Sequence, residues 1–145
     1  MSFTDNYDGT ITDNVTGLMW QKCSFGQNND DTCSGTAFTF NWYQAMGIYD
    51  STYNQDSTNV CGRLSLGGHT DWRLPAKNEL LDIVNYGTNS PAINTGYFPN
   101  TQSDTSYWTS TLSVSWSGTA YFVDFSTGGA NNLWNWKGYY VRCVR

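Results

Sequence analysis

The run Gly67-Gly68-His69-Thr70-Asp71-Trp72-Arg73-Leu74-Pro75-Ala76-Lys77-Asn78-Glu79-Leu80 leaves the chain few ways to fold. Two adjacent glycines allow backbone angles that side chains forbid, so the run opens on a tight turn. Trp72 and Leu74 alternate with Arg73, which sends two apolar side chains inward and the arginine outward or sideways. Pro75 suits a first helical position, where its missing N–H is not needed. Glu79 falls in the first turn, on the favourable side of the helix dipole. Leu80, Ile83 and Val84 recur at helical spacing and Gly87 can end the helix, so the spacing predicts a helix over about 76–86, packed on Trp72 and Leu74. The run holds no nucleophile beside a base and no metal-ligand set.

The flanking chain reads as strands, then helices, then strands. Thr10–Thr12 and Gly17–Gln21 form a hairpin, and residues 23–37 form a polar loop. Asn41 or Thr39 caps a first helix whose apolar stripe is Trp42, Ala45, Met46 and Tyr49. Residues 88–106 are loop-rich, punctuated by Pro91 and Pro99. Short strands follow at Tyr107–Thr111, Ala120–Ser126, Leu133–Trp136 and Tyr139–Val144, with turns at Gly128-Gly129 and Lys137-Gly138 between consecutive antiparallel neighbours. The Ala120–Phe125 segment is apolar on both faces, which predicts an interior strand. This order is α+β, in one domain over residues 1–145.

Charge narrows the function. The formal net charge is −5, which speaks against non-specific nucleic-acid binding. No apolar run approaches the length of a membrane span. Acid dominates the first 62 residues, with seven aspartates against Lys22, whereas residues 125–145 hold Lys137, Arg142 and Arg145 and no acid. A basic end on an acidic body can receive an anion. Asp30 and Asp31 beside Asn28 and Asn29 raise the question of calcium, but four polar residues in a row without ligand spacing read as a plain loop, so no metal and no cofactor are expected. The four cysteines are an even set in an Asn-, Ser-, Thr- and Gly-rich chain, which suits an exported, oxidised protein. Three pairings are open to them. Cys23–Cys33 would clip the polar loop and Cys61–Cys143 would tie the segment before the signature to the last strand, and that pairing is the one expected. No CxxC spacing favours zinc, and the only histidine, His69, has no nucleophile beside it, so the chain is not expected to be an enzyme.

Asp71-Trp72-Arg73-Leu74-Pro75 with Lys77, Glu79 and Leu80 resembles the signature of the C-terminal domain of the Legionella collagen-like adhesin family. Asp8-Gly9-Thr10-Ile11-Thr12-Asp13 running into Thr16-Gly17-Leu18-Met19-Trp20, then Tyr107-Trp108-Thr109-Ser110, then Tyr139-Tyr140-Val141-Arg142-Cys143-Val144-Arg145, complete the match in order along the chain. The resemblance implies a C-type-lectin-like fold with two helices, a small, mostly antiparallel sheet and long loops. It also implies a binding role, on a bacterial cell surface or secreted. A three-stranded collagen-like stalk further implies a homotrimer.

Twenty-four aromatic side chains exceed what a small core needs, so some are expected on the surface. The binding candidate is Ala130–Lys137. Its amides can meet sugar hydroxyls, and its indoles can cover a sugar ring or anchor a protein partner. The expected ligand set is Asn131, Asn132, Trp134, Asn135 and Lys137, with Arg142 as a further member that could instead pair with Asp71 or Asp124. Two tryptophans spaced by two share a face, so Trp134 and Trp136 should be exposed or buried together. The function expected is glycan recognition on a host surface, with sulfated glycosaminoglycans as the anionic case. The other readings are a variable protein-binding display domain, with residues 131–139 as its varying face, and a cap that trimerises a fibrous stalk.

Overall fold

Gly67 and Gly68 both adopt positive φ, 59° and 76°, and close a two-residue turn between Leu66 and His69. The two flanking residues exchange backbone hydrogen bonds of 3.0 Å in each direction. The Trp72 indole folds back under this turn, and its Nε1 donates to the carbonyls of Leu66 (3.3 Å) and His69 (3.1 Å). The signature is thus a self-braced unit before it touches anything else.

The computed structural model describes residues 1–145. Three short strands, β1 (Phe3–Asp5), β2 (Thr10–Asp13) and β3 (Met19–Gln21), form one antiparallel sheet. A second sheet has five strands, β4 (Thr39–Phe40), β5 (Tyr107–Leu112), β6 (Thr119–Asp124), β7 (Gly129–Trp134) and β8 (Tyr139–Tyr140), in the spatial order β4-β8-β5-β6-β7. Helix α1 spans Trp42–Met46 and α2 spans Lys77–Asp82. The α+β reading holds, with two short helices and mostly strands.

β5 and β6 fall close to their expected places, whereas β7 begins four residues before the expected Leu133–Trp136 and β8 keeps two residues of the expected Tyr139–Val144, and the pairing differs. β7 does not pair with β8. After the Lys137-Gly138 turn the chain leaves the β7 edge, and β8 inserts between β4 and β5, parallel to β5. β6 is interior, with β5 and β7 on either side.

Both helices are shorter than the periodicity predicts. Asn41 caps α1 through a capping box with Gln44, but Gly47 at φ 76° ends the helix and leaves Tyr49 exposed outside the stripe. α2 starts at Lys77, two residues past Pro75, and ends at Asp82, well before Gly87. The Glu79 carboxylate accepts the Ala76 N–H at 2.7 Å, which satisfies one of the donors a helix start leaves open.

Two apolar clusters form the core. One gathers Ile11, Trp20, Leu80, Ile83, Phe98, Tyr107, Val123 and Phe125 among others. The other gathers Trp42, Ala45, Trp72, Leu74, Trp108, Val141 and Cys143 among others. Successive residues of β5, Tyr107 and Trp108, enter different clusters, as strand alternation requires. Trp72 and Leu74 are buried as expected, but their helical neighbour is α1. α2 sends Leu80 into the other cluster.

The C-terminal residues join the halves. Val144 bridges both Trp20 of β3 and Arg73 of the signature, and Arg145 exchanges 2.9 Å backbone bonds with Met19. Cys61–Cys143 fastens this seam and Cys23–Cys33 closes the polar loop, so both expected disulfides are present.

Candidate functional site

The end of the molecule formed by the β5–β6 connection and β7 carries the most exposed indoles. Residues 113–118 read Ser-Val-Ser-Trp-Ser-Gly, a polar turn carrying two large apolar side chains. Its geometry is fixed from within. Ser113 N–H donates to the Thr119 carbonyl at 3.0 Å, Thr119 Oγ1 donates to the Trp116 carbonyl at 2.7 Å, and Gly118 turns the chain at φ 74°. Trp116 stays 66% exposed and Val114 fully so. Across the strand register Thr119 lies opposite Trp134, which is 46% exposed. Trp116, Thr119, Asn132, Leu133 and Trp134 line a depression of about 230 Å³.

The expected site residues separate into two groups. Asn131, Trp134 and Lys137 are exposed and Asn132 is half-buried, and of these Asn132 and Trp134 line the depression together. Trp134 and Trp136 share a fate, both about half exposed, as strand alternation predicts. The Lys137 ammonium rests over the Trp136 ring at 4.6 Å.

Asn135 and Arg142 do not belong to that group. Asn135 is buried because its backbone is a junction. Its N–H donates to the Gly118 carbonyl at 3.0 Å and its carbonyl accepts from Trp42 N–H at 2.8 Å, tying the indole-bearing turn to the start of α1. Arg142 has no exposed surface. Its guanidinium stacks between Phe98 and Tyr107, at 5.0 and 5.6 Å from the ring centroids, and Nη2 donates to Thr101 Oγ1 at 3.0 Å and Ser24 Oγ at 3.4 Å. Neither Asp71 nor Asp124 is its partner. Asp71 pairs with Arg145 at 2.6 and 3.1 Å. Burial pushes the Arg142 pKa down. It pushes the Tyr107 hydroxyl up.

The expected basic end is therefore reduced. Of its three cations, Arg142 is internal and Arg145 is spent on Asp71, leaving Lys137. The acidic loop is occupied in turn. Lys22, itself buried, places its ammonium 2.9 Å from Asp5 and 3.5 Å from Asp31. Asp30 accepts the backbone N–H and hydroxyl groups of Thr32 and Ser34, and the Ser34 bonds lead in holding its carboxyl down at about 2. Nowhere do three His, Cys, Asp or Glu side chains converge in a group that could hold a metal ion.

With this geometry in view, a family model described as the Lcl C-terminal domain matches residues 9–145. The chain belongs to that family. No curated protein matches it. Lcl C-terminal domains are adhesin-type domains of collagen-like proteins, a binding family and not an enzyme family. Two disulfides accord with a surface or extracellular setting, and no helix is long and apolar enough to cross a membrane.

Sequence reasoning missed Trp116. The signal was present as an indole and a valine two residues apart among serines, ahead of a glycine. A core strand rarely interleaves serine this way, whereas an exposed turn does.

Proposed function

We propose that this Lcl C-terminal domain is an exported adhesin domain of C-type-lectin-like build that holds glycan chains on its C-terminal surface. The observation that carries the reading is the exposed Trp134, which lines one depression with Trp116 and Asn132, while Asn131 is exposed on the same strand. Indoles of this exposure are stable only against water or a ligand, and a flat ring over a sugar face removes apolar surface on both sides. Asn131 and Asn132 supply the paired donors and acceptors that hydroxyl groups need. Lys137 is the one cation of the set, and sulfated chains would be met through it. In a homotrimer it would act three times over, and avidity would multiply weak single contacts.

A panel of immobilised polysaccharides that includes heparin tests the reading. Trp134→Ala should lower retention about 10-fold or more while near-ultraviolet circular dichroism stays native. Wild-type retention by Trp134→Ala on every surface would sink it.

A further inference from the structure

Resting on that reading, we propose that the ring seated between Trp116 and Trp134 belongs to an uncharged sugar. Stacking and hydroxyl hydrogen bonds hold it, and Trp116 is a binding residue equal to Trp134. The lining decides the class. Trp116, Thr119, Asn132, Leu133 and Trp134 carry no charge of either sign, and about 230 Å³ suits one pyranose ring. Asn132 lines the depression, and its backbone N–H donates to Asn131 Oδ1 at 2.8 Å.

The cation inventory points the same way. Arg142 is buried, and Arg145, Arg73 and Lys22 are paired with Asp71, Glu79 and Asp5. Arg63 is exposed at the end of the short Cys61–Arg63 turn and is not among the residues lining the depression. Lys77 lies over the Tyr121 ring at 4.4 Å and Lys137 over Trp136, both outside the lining. A sulfated chain would approach a molecule of net charge −5 and meet no arginine fork at the indoles. The backbone of the site is shaped in advance: the internal bonds of the turn and the Asn135 junction set the course of the chain that carries Trp116, which lowers the ordering cost of binding.

Tryptophan fluorescence titration distinguishes this inference from the broader one. Cellohexaose, chitohexaose and a heparin hexasaccharide are the probes, on the wild type and on Trp116→Ala, Trp116→Phe, Trp134→Ala and Lys137→Ala. A neutral hexasaccharide should bind, with affinity within about two-fold between roughly 0.05 M and 0.5 M NaCl. Trp116→Ala and Trp134→Ala should each lose about 10-fold, and Trp116→Phe should recover most of the loss. Suppose heparin alone binds, weakening with salt and with Lys137→Ala but not with Trp116→Ala. The uncharged-ligand inference then fails and glycan recognition stands. If none of the three probes binds and Trp134→Ala also matches wild type on the polysaccharide panel, both fail.

Discussion

The Arg73–Glu79 contact shows how one side chain serves two purposes. Both guanidinium nitrogens reach the carboxylate, at 2.8 and 2.7 Å, and the same carboxylate caps Ala76. The Arg73 bond is the largest cause holding the Glu79 carboxyl below its usual 4.5, with the Ala76 N–H assisting and burial opposing. A lowered native pKa means that the folded state binds its proton less readily than the unfolded chain. The stabilisation is therefore present above the unfolded value and drains away as pH falls through the native one. Glu79→Gln keeps a capping oxygen and removes only the charge. It should cost about 0.5–1 kcal/mol near neutral pH, because Arg73 is half exposed, and nothing at about pH 2. Urea unfolding of both proteins at the two pH values checks this, and a constant difference would show that the charge is irrelevant. Arg142 teaches the converse. Residue type and local alternation made it an arginine for a surface anion, yet its position between Phe98 and Tyr107 depends on loops distant in sequence, which no local pattern encodes.

At the scale of elements, what was legible is what local chemistry decides. The glycine turn, the inward Trp72 and Leu74, the Asn41 cap and the late strands all follow from neighbours within a few residues. What was not legible is which element meets which. The helical spacing of Leu80, Ile83 and Val84 continues past Asp82, but the helix stops there because Ile83 and Val84 reach the same cluster from a turn. Turn residues at Lys137-Gly138 suggested a hairpin, whereas β8 gains more by burying Tyr140 beside β5 than by extending an exposed edge. The candidate site divides in the same way. Exposure of Trp134 followed from its neighbours, but its pairing with Trp116 depends on the β6–β7 register. Trp72 tests how far the signature braces itself. Trp72→Ala should cost about 3–5 kcal/mol, since it opens a cavity in the α1 cluster and removes the second donor from each of two carbonyls. A loss below about 1 kcal/mol in chemical denaturation would mean that the turn stands without its indole.

Across the whole molecule, segments far apart in sequence meet. Residues 141–145 lie between β3 and the signature, hydrogen-bonded to both, and complete the seam between the two sheets. The cysteine count hinted at this closure, because only a long-range bridge ties residue 143 to the segment ahead of the signature. The two bridges should therefore differ in weight. Cys61 and Cys143 are 82 residues apart, Cys23 and Cys33 only 10. Loop-closure entropy assigns them roughly 4.5 and 2.7 kcal/mol respectively. Paired replacements, Cys61→Ala with Cys143→Ala and Cys23→Ala with Cys33→Ala, avoid a stray thiol in either variant. The first pair should lose about 2 kcal/mol more in denaturant unfolding, and both should keep a single transition, because the long bridge spans one cooperative unit. The short-loop variant is also expected to keep its response to neutral oligosaccharide, since that loop contributes nothing to the Trp116–Trp134 depression. If the short bridge proves the more stabilising, chain entropy is not what fastens the seam. The hydrogen bonds of Val144 to Arg73 and of Arg145 to Met19 would then be the principal ties.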